Sequence, residues 1–228
     1  MRTSSLLTML LLTGCSGAPR ATVFTHTAGP RSFLALGDSY TIGEGVQETD
    51  RWPVQLVNSL RARGLALDDP VILAKTGWTT SDLQLALADA KLTGPYRLVS
   101  LLIGVNDQFR HSTPEQYRHR FVALLNQAVI LAGGKSKHVL VLSIPDYDYG
   151  PKRKFAPANI SESLDGFNAV CREEATRHGV VFVNITDISR QAKDMLELWS
   201  GDQLHFAGLM YANWVKAMMP EVEKMVRD

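Results

Sequence analysis

From Ser32 onward the chain alternates short, β-rich apolar runs with amphipathic stretches, and this alternation restricts the possible folds more than any other feature. The runs occupy residues 33–36, 71–74, 98–103, 138–143 and 180–183. A strand that is apolar on both faces needs cover on both, which is the environment of a parallel sheet between two helical layers. The clearest helical pattern covers 114–131. Pro114 suits a first turn, Tyr117, Phe121, Leu124, Leu125 and Ala128 fall on one face, and Gly133-Gly134 stops the pattern. Ser161 to His178, closed by Gly179, and Phe206 to Val226 read as two more helices. The expected fold is therefore α/β, a three-layer α/β/α sandwich around a doubly wound five-stranded parallel sheet, over residues 32–228. In such sheets the ligand crevice lies outside the carboxyl ends of the strands. The loops that begin at Gly37, Lys75, Gly104 and Ile144, and the segment before the last helix, are where chemistry is expected.

Before this domain lies a different kind of sequence. Met1-Arg2 starts the chain with positive charge and Leu6 to Leu12 form an apolar run of signal-peptide length, too short to span a bilayer. The run ends in Leu12-Thr13-Gly14-Cys15, which resembles the bacterial lipobox. That resemblance implies a signal peptide over 1–14, lipidation of Cys15, and a bacterial envelope protein held to the membrane. Residues 15–31 then serve as lipidated cysteine and tether, since they show no apolar period and are punctuated by glycine and proline. Cleavage removes Arg2 and leaves 23 basic against 23 acidic residues, so no basic field for a nucleic-acid partner is present. Cys171 is the only other cysteine. It shares a helical face with Phe167, Val170 and Ala175, as a buried, inert thiol does.

The first loop reads Gly37-Asp38-Ser39-Tyr40-Thr41-Ile42-Gly43-Glu44-Gly45. A serine at a strand's carboxyl end, among glycines, serves as a nucleophile when a base reaches it; the same composition also makes ordinary turns. Thr41 stands at the last position of G-x-S-x-G, which disfavours a conventional α/β-hydrolase elbow. Of six histidines, only His205 has an acid three residues before it, in Asp202-Gln203-Leu204-His205, and it lies in a loop that faces the expected crevice. Gly77 follows the second run and Asn106 the third. With the Ser39 N–H, a Gly77 N–H and the Asn106 amide are suited to hold an oxyanion.

Taken together, these four segments resemble the SGNH hydrolases, the GDSL lipase/esterase family, across roughly residues 33–220 and in the family's order. The resemblance implies a flavodoxin-like sheet, with Ser39 as nucleophile and first oxyanion donor, Gly77 and Asn106 as further donors, and Asp202 and His205 as the Asp-x-x-His pair. Tyr40 replaces the leucine of GDSL and Phe206 stands where many members have proline or leucine, which leaves the acyl pocket open but not the chemistry. The implied reaction is hydrolysis of a small acyl ester through a Ser39 acyl-enzyme, with no metal or organic cofactor. Candidate substrates are lysophospholipids, aryl esters and thioesters. A carbohydrate O-deacetylase or acetyltransferase is the enzymatic alternative, and an envelope-anchored binding module the non-catalytic one.

Some features point elsewhere and are set aside. Gly134-Lys135-Ser136 lacks the first glycine of a P-loop, and Gly43-x-Gly45 lacks the third glycine of a dinucleotide site. Asp146 and Asp148 without a third ligand read as a solvated loop and not as a metal site. Trp78 and Tyr147 are the aromatic residues expected to touch substrate.

Overall fold

The computed structural model describes residues 23–151 and 159–227. Cys15 and the leader lie outside the described residues. Seven strands are present among the described residues: β1 (Thr25–Thr27), β2 (Phe33–Gly37), β3 (Val71–Ala74), β4 (Lys91–Thr93), β5 (Leu98–Leu102), β6 (Val139–Leu142) and β7 (Val181–Val183). The α-helices are α1 (Ser39–Ile42), α2 (Trp52–Arg61), α3 (Thr80–Asp89), α4 (Val105–Phe109), α5 (Pro114–Leu131), α6 (Ile160–Arg177), α7 (Thr186–Ser189) and α8 (Gly208–Arg227).

Five strands form one parallel sheet in the order β3-β2-β5-β6-β7, at the five apolar runs. β2 and β5 are buried along their whole length and end flush, with Gly37 opposite Leu102. On one face α2 packs on α8; on the other α5 lies between α3 and α6. The chain winds first to β3 and then back across β2 to β5. The gap between the carboxyl ends of β2 and β5 is thus the topological switch point, where side chains from two separate loops converge without blocking each other.

The helix ends follow local chemistry. Thr79 and Thr113 cap α3 and α5 in reciprocal capping boxes with Asp82 and Gln116, and Pro114 opens α5 as expected. Two helices not singled out from sequence, α2 and α3, also cover the sheet. α2 buries Trp52, Leu56, Val57 and Leu60 at a helical period. The last helix starts at Gly208 and not at Phe206, because Phe206 is taken into an antiparallel bridge with Trp199.

Residues 25–31, read above as tether, belong to the folded body. β1 pairs in parallel with β4, and His26 stacks on Tyr96 with its Nδ1 2.8 Å from the phenolic oxygen. A half-exposed Thr-His-Thr strand held by backbone pairing has no apolar period to announce it.

Candidate active site

Ser39 is the first residue of α1, directly after β2. Asp38 caps that turn by accepting the Tyr40 N–H at 3.0 Å, while Gly43 and Glu44 donate to the Ser39 carbonyl. The Ser39 N–H lies in the first turn, where a helix offers no acceptor. The Ser39 loop is also packed against a segment near the far end of the chain. Gly45 has φ +80°, and a Cβ there would sit 2.7 Å from the Ser200 hydroxyl. Burial pushes the Asp38 carboxyl up to about 7 against the opposing Tyr40 N–H bond, with Asp107 adding to the rise.

The Ser200 hydroxyl donates in turn to Asp202 Oδ1 at 2.7 Å. The same oxygen accepts the Leu204 and His205 N–H groups at 2.9 Å each, and Asp202 Oδ2 lies 2.5 Å from His205 Nδ1. Burial raises the Asp202 pKa, but the bonds from the His205 ring and N–H, Ser200 and Leu204 outweigh it and hold the carboxyl well below the ordinary range. Asp202 therefore stays ionised beside the imidazole. The spacing of three comes from a tight turn, not from a helix. Ser200 N–H donates to the His205 carbonyl at 2.8 Å, Trp199 bridges Phe206, and Gln203 takes φ +59°.

The two departures from the family pattern touch each other. Tyr40 and Phe206 are buried with ring centroids 5.7 Å apart; Tyr40 also meets His205 edge-on at 5.7 Å, and Phe206 stacks on Trp199 at 4.5 Å. They form an aromatic floor under the imidazole, worth about 1 kcal/mol per pair beyond area burial.

On the other side of the switch point, Asn106 Nδ2 donates to the Trp78 carbonyl at 2.9 Å, and Arg110 Nη2 to the Gly77 carbonyl at 2.9 Å. Buried Asp107 accepts from the Thr80 N–H at 2.8 Å and the Thr80 hydroxyl at 2.5 Å, pinning the start of α3 to α4. These four bonds bring the Gly77 turn against the Asn106 loop. Gly77 has φ +81°, a conformation that glycine adopts without cost. Asn106 spends one amide hydrogen on Trp78 and keeps the second.

Ser39, Tyr40, Val105, Asn106, Phe109, Tyr147, Leu204 and His205 line one cleft of about 130 Å³. Of the residues expected in the site, Ser39, Asn106, His205 and Tyr147 line this cleft and Asp202 backs His205. Gly77 and Trp78 are not among the residues that line it, and Asn106 joins them to the cleft through the Trp78 carbonyl. Trp78 offers its carbonyl to the amide and packs partly buried against the core; it is not part of the cleft wall. Tyr147 lines the wall with its hydroxyl donating to Gln108 at 2.8 Å. Phe109 and Leu204, both exposed at the mouth, and the floor residue Tyr40 had no place among the expected site residues.

The loop carrying Tyr147 differs from expectation in being buried, not solvated. Asp146 accepts from Arg190 Nε at 2.9 Å and from the Asp148 N–H at 2.9 Å, and Ser161 donates to Asp148 at 3.0 Å. Partners from α6 and the chain after α7 satisfy these carboxylates, and no local pattern signals such distant partners. A larger groove of about 380 Å³ runs along α6 and β7, but no histidine lines it and its Ser143 hydroxyl is engaged with Thr186. Cys171 is buried as expected, 3.0 Å from the Tyr117 hydroxyl, and burial pushes its thiol up to about 12.

No curated protein sequence matches the chain. Among solved structures, a lipase/acylhydrolase from Enterococcus faecalis is 19% identical with a TM-score of 0.65, covering 85% of this chain and 96% of that one. An acetylxylan esterase from Geobacillus stearothermophilus is 18% identical with a TM-score of 0.65, covering 85% and 94%. A psychrotrophic esterase from Pseudoalteromonas sp. is 17% identical with a TM-score of 0.61, covering 87% and 100%. At such identities the likeness is one of fold. The family itself is shown by a sequence model matching residues 35–212, a span that holds the Ser39, Gly77, Asn106 and Asp202/His205 segments together: this chain belongs to the GDSL-like lipase/acylhydrolase family and is an ester-hydrolysing enzyme.

Proposed function

We propose that the protein is a serine esterase for short acyl groups that works through a Ser39 acyl-enzyme. The observation that carries this reading is the convergence of Ser39, Asn106 and His205 on one small cleft, with His205 tied to an ionised Asp202. In the first half-reaction the Ser39 hydroxyl attacks the ester carbonyl carbon while His205 takes its proton. The oxyanion is held by the N–H groups of Ser39 and Gly77 and the second amide hydrogen of Asn106. Collapse breaks the bond to the alcohol oxygen, which leaves with the proton held by His205. Water, activated by the same imidazole, then releases the acid and restores the serine. Asp202 keeps the imidazole in one tautomer and supports its positive charge.

The size of the cleft selects the acyl group. Drug-sized ligands occupy pockets of roughly 300–1,000 Å³, and a cleft of about 130 Å³ walled by Val105, Phe109, Tyr147 and Leu204 suits acetyl to butyryl. The alcohol half lies outside it. Aryl acetates and acetylated carbohydrates, the latter matching the solved acetylxylan esterase, fit better than long-chain lysophospholipids. On p-nitrophenyl esters of graded length, kcat/KM should peak at acetate or butyrate and fall at octanoate. A maximum at octanoate or palmitate would overturn this choice.

Asn106→Ala isolates the oxyanion contribution. A donor used mainly in the transition state affects kcat far more than KM. The substitution should cost about 10² to 10³ in kcat with KM nearly unchanged. Near wild-type turnover in a variant of lowered Tm would restrict Asn106 to holding the Trp78 carbonyl.

We further propose that Cys15 is lipidated and holds the enzyme to the bacterial envelope, on the strength of the apolar run ending in Leu12-Thr13-Gly14-Cys15. Cys15→Ser should leave an unprocessed precursor without lipid. Intact-mass analysis showing cleavage elsewhere and an unmodified Cys15 in the parent protein would refute the anchor.

A further inference from the structure

The described chain begins at the pole opposite the cleft. All five sheet strands are parallel and the catalytic loops follow their carboxyl ends, whereas β1 and β4 lie at the amino ends. β4 leads through Gly94, Pro95 and Tyr96 into the start of β5, and the Tyr96 N–H donates to the Leu131 carbonyl at the end of α5. β5 alone separates this pole from the site by about 17 Å, at ~3.4 Å per residue.

The same pole carries exposed apolar side chains. Val23 is 50%, Phe24 39% and Ile130 72% exposed. They are continuous through β4, since the Phe24 carbonyl accepts from Lys91 and Leu92 shares a groove with Ile130, Leu131, Leu87 and Ala90. Lys91 sits within this strip as a long cation that can reach lipid headgroups from an apolar footing.

We propose that this pole is a membrane-docking face, on which Phe24, Leu92 and Ile130 rest against the bilayer that holds the Cys15 lipid, with the catalytic cleft turned away from that bilayer. The proposal rests on the anchor reading given above. Chain length decides between this face and the exposed apolar residues at the cleft mouth, Phe109 and Leu204. Residues 15–22 reach at most roughly 28 Å when extended, while a domain of this size is about 40 Å across. That tether is too short to lay the cleft mouth on the anchoring membrane, and long enough to seat the opposite pole there. The substrate then comes from the aqueous side, as a soluble or surface-borne ester.

The test uses the full lipidated protein in phosphatidylcholine–phosphatidylglycerol vesicles doped with a nitroxide-labelled lipid. A fluorophore is attached at Ile130→Cys, or at Lys75→Cys on the exposed loop after β3. Cys171 is buried and does not compete for label. Quenching at position 130 should exceed that at position 75 several-fold, and Phe24→Glu should lower it without changing turnover on a soluble acetate ester. Equal quenching, or stronger quenching at position 75, in a protein proven lipidated by mass overturns the docking and leaves the anchor standing. A chain that carries no lipid and stays off the vesicles removes the anchor and the docking together. Protection of the position-130 label in a dimer of the lipid-free chain assigns the face to a second copy instead.

Discussion

Ser39→Ala should abolish covalent labelling by an organophosphonate and lower kcat by about 10⁴-fold or more with the fold retained. The magnitude follows from the number of steps that pass through one oxygen, because attack, acyl storage and deacylation all need it. The fold should survive, since the turn around Ser39 is held by its backbone carbonyl and by Asp38, and its hydroxyl has no hydrogen-bond partner among the described residues. Comparing label incorporation with Tm on one preparation checks both halves. Stoichiometric labelling of the alanine variant at the parent rate would show that another residue is the nucleophile.

His205→Ala should be almost as damaging, again about 10⁴-fold in kcat, because the proton taken from Ser39 has nowhere else to go. Removing the ring also strands a carboxylate that His205 Nδ1 meets at 2.5 Å, and the remaining bonds from Ser200, Leu204 and the His205 N–H will not replace a base. The other histidines serve as controls. His119 is exposed beside Glu115, and His178 is tied to the Glu174 carbonyl, so His119→Ala and His178→Ala should leave kcat close to the parent value. Activity that survives in His205→Ala and vanishes in one of these would reassign the base.

The parts of the fold legible in the sequence are those whose energy is local and apolar. Short runs such as Leu98–Leu102, apolar but for Ser100, suit the middle of a covered parallel sheet, and α5 carries its own start and stop signals in Thr113, Pro114 and Gly133. The order of the Ser39, Gly77, Asn106 and His205 loops was legible for the same reason, since the first three each follow a strand that announces itself and the last precedes a helix that does. What escaped depends on pairs distant in sequence. The Tyr40–Phe206 contact makes two separate oddities into one aromatic floor, and Asp107 joins two loops through Thr80. Asp146 looks solvent-facing until Arg190 is placed beside it. Trp78 illustrates the converse. A large aromatic next to a candidate oxyanion glycine suggested substrate contact, yet the residue contributes its carbonyl and packs partly buried against the core.

The bond network around Gly45, Ser200 and Asp202 means that the reaction centre is assembled from the two ends of the domain. In the proposed mechanism the loop after its first sheet strand supplies the nucleophile, and the loop before its last helix supplies the base. A growing polypeptide that has emerged as far as α6 already owns its serine, its oxyanion donors and most of its sheet, yet has no means of taking up a proton. On that mechanism, turnover requires the whole domain, with α8 packed over the aromatic floor, and a chain cut before Asp202 should have none.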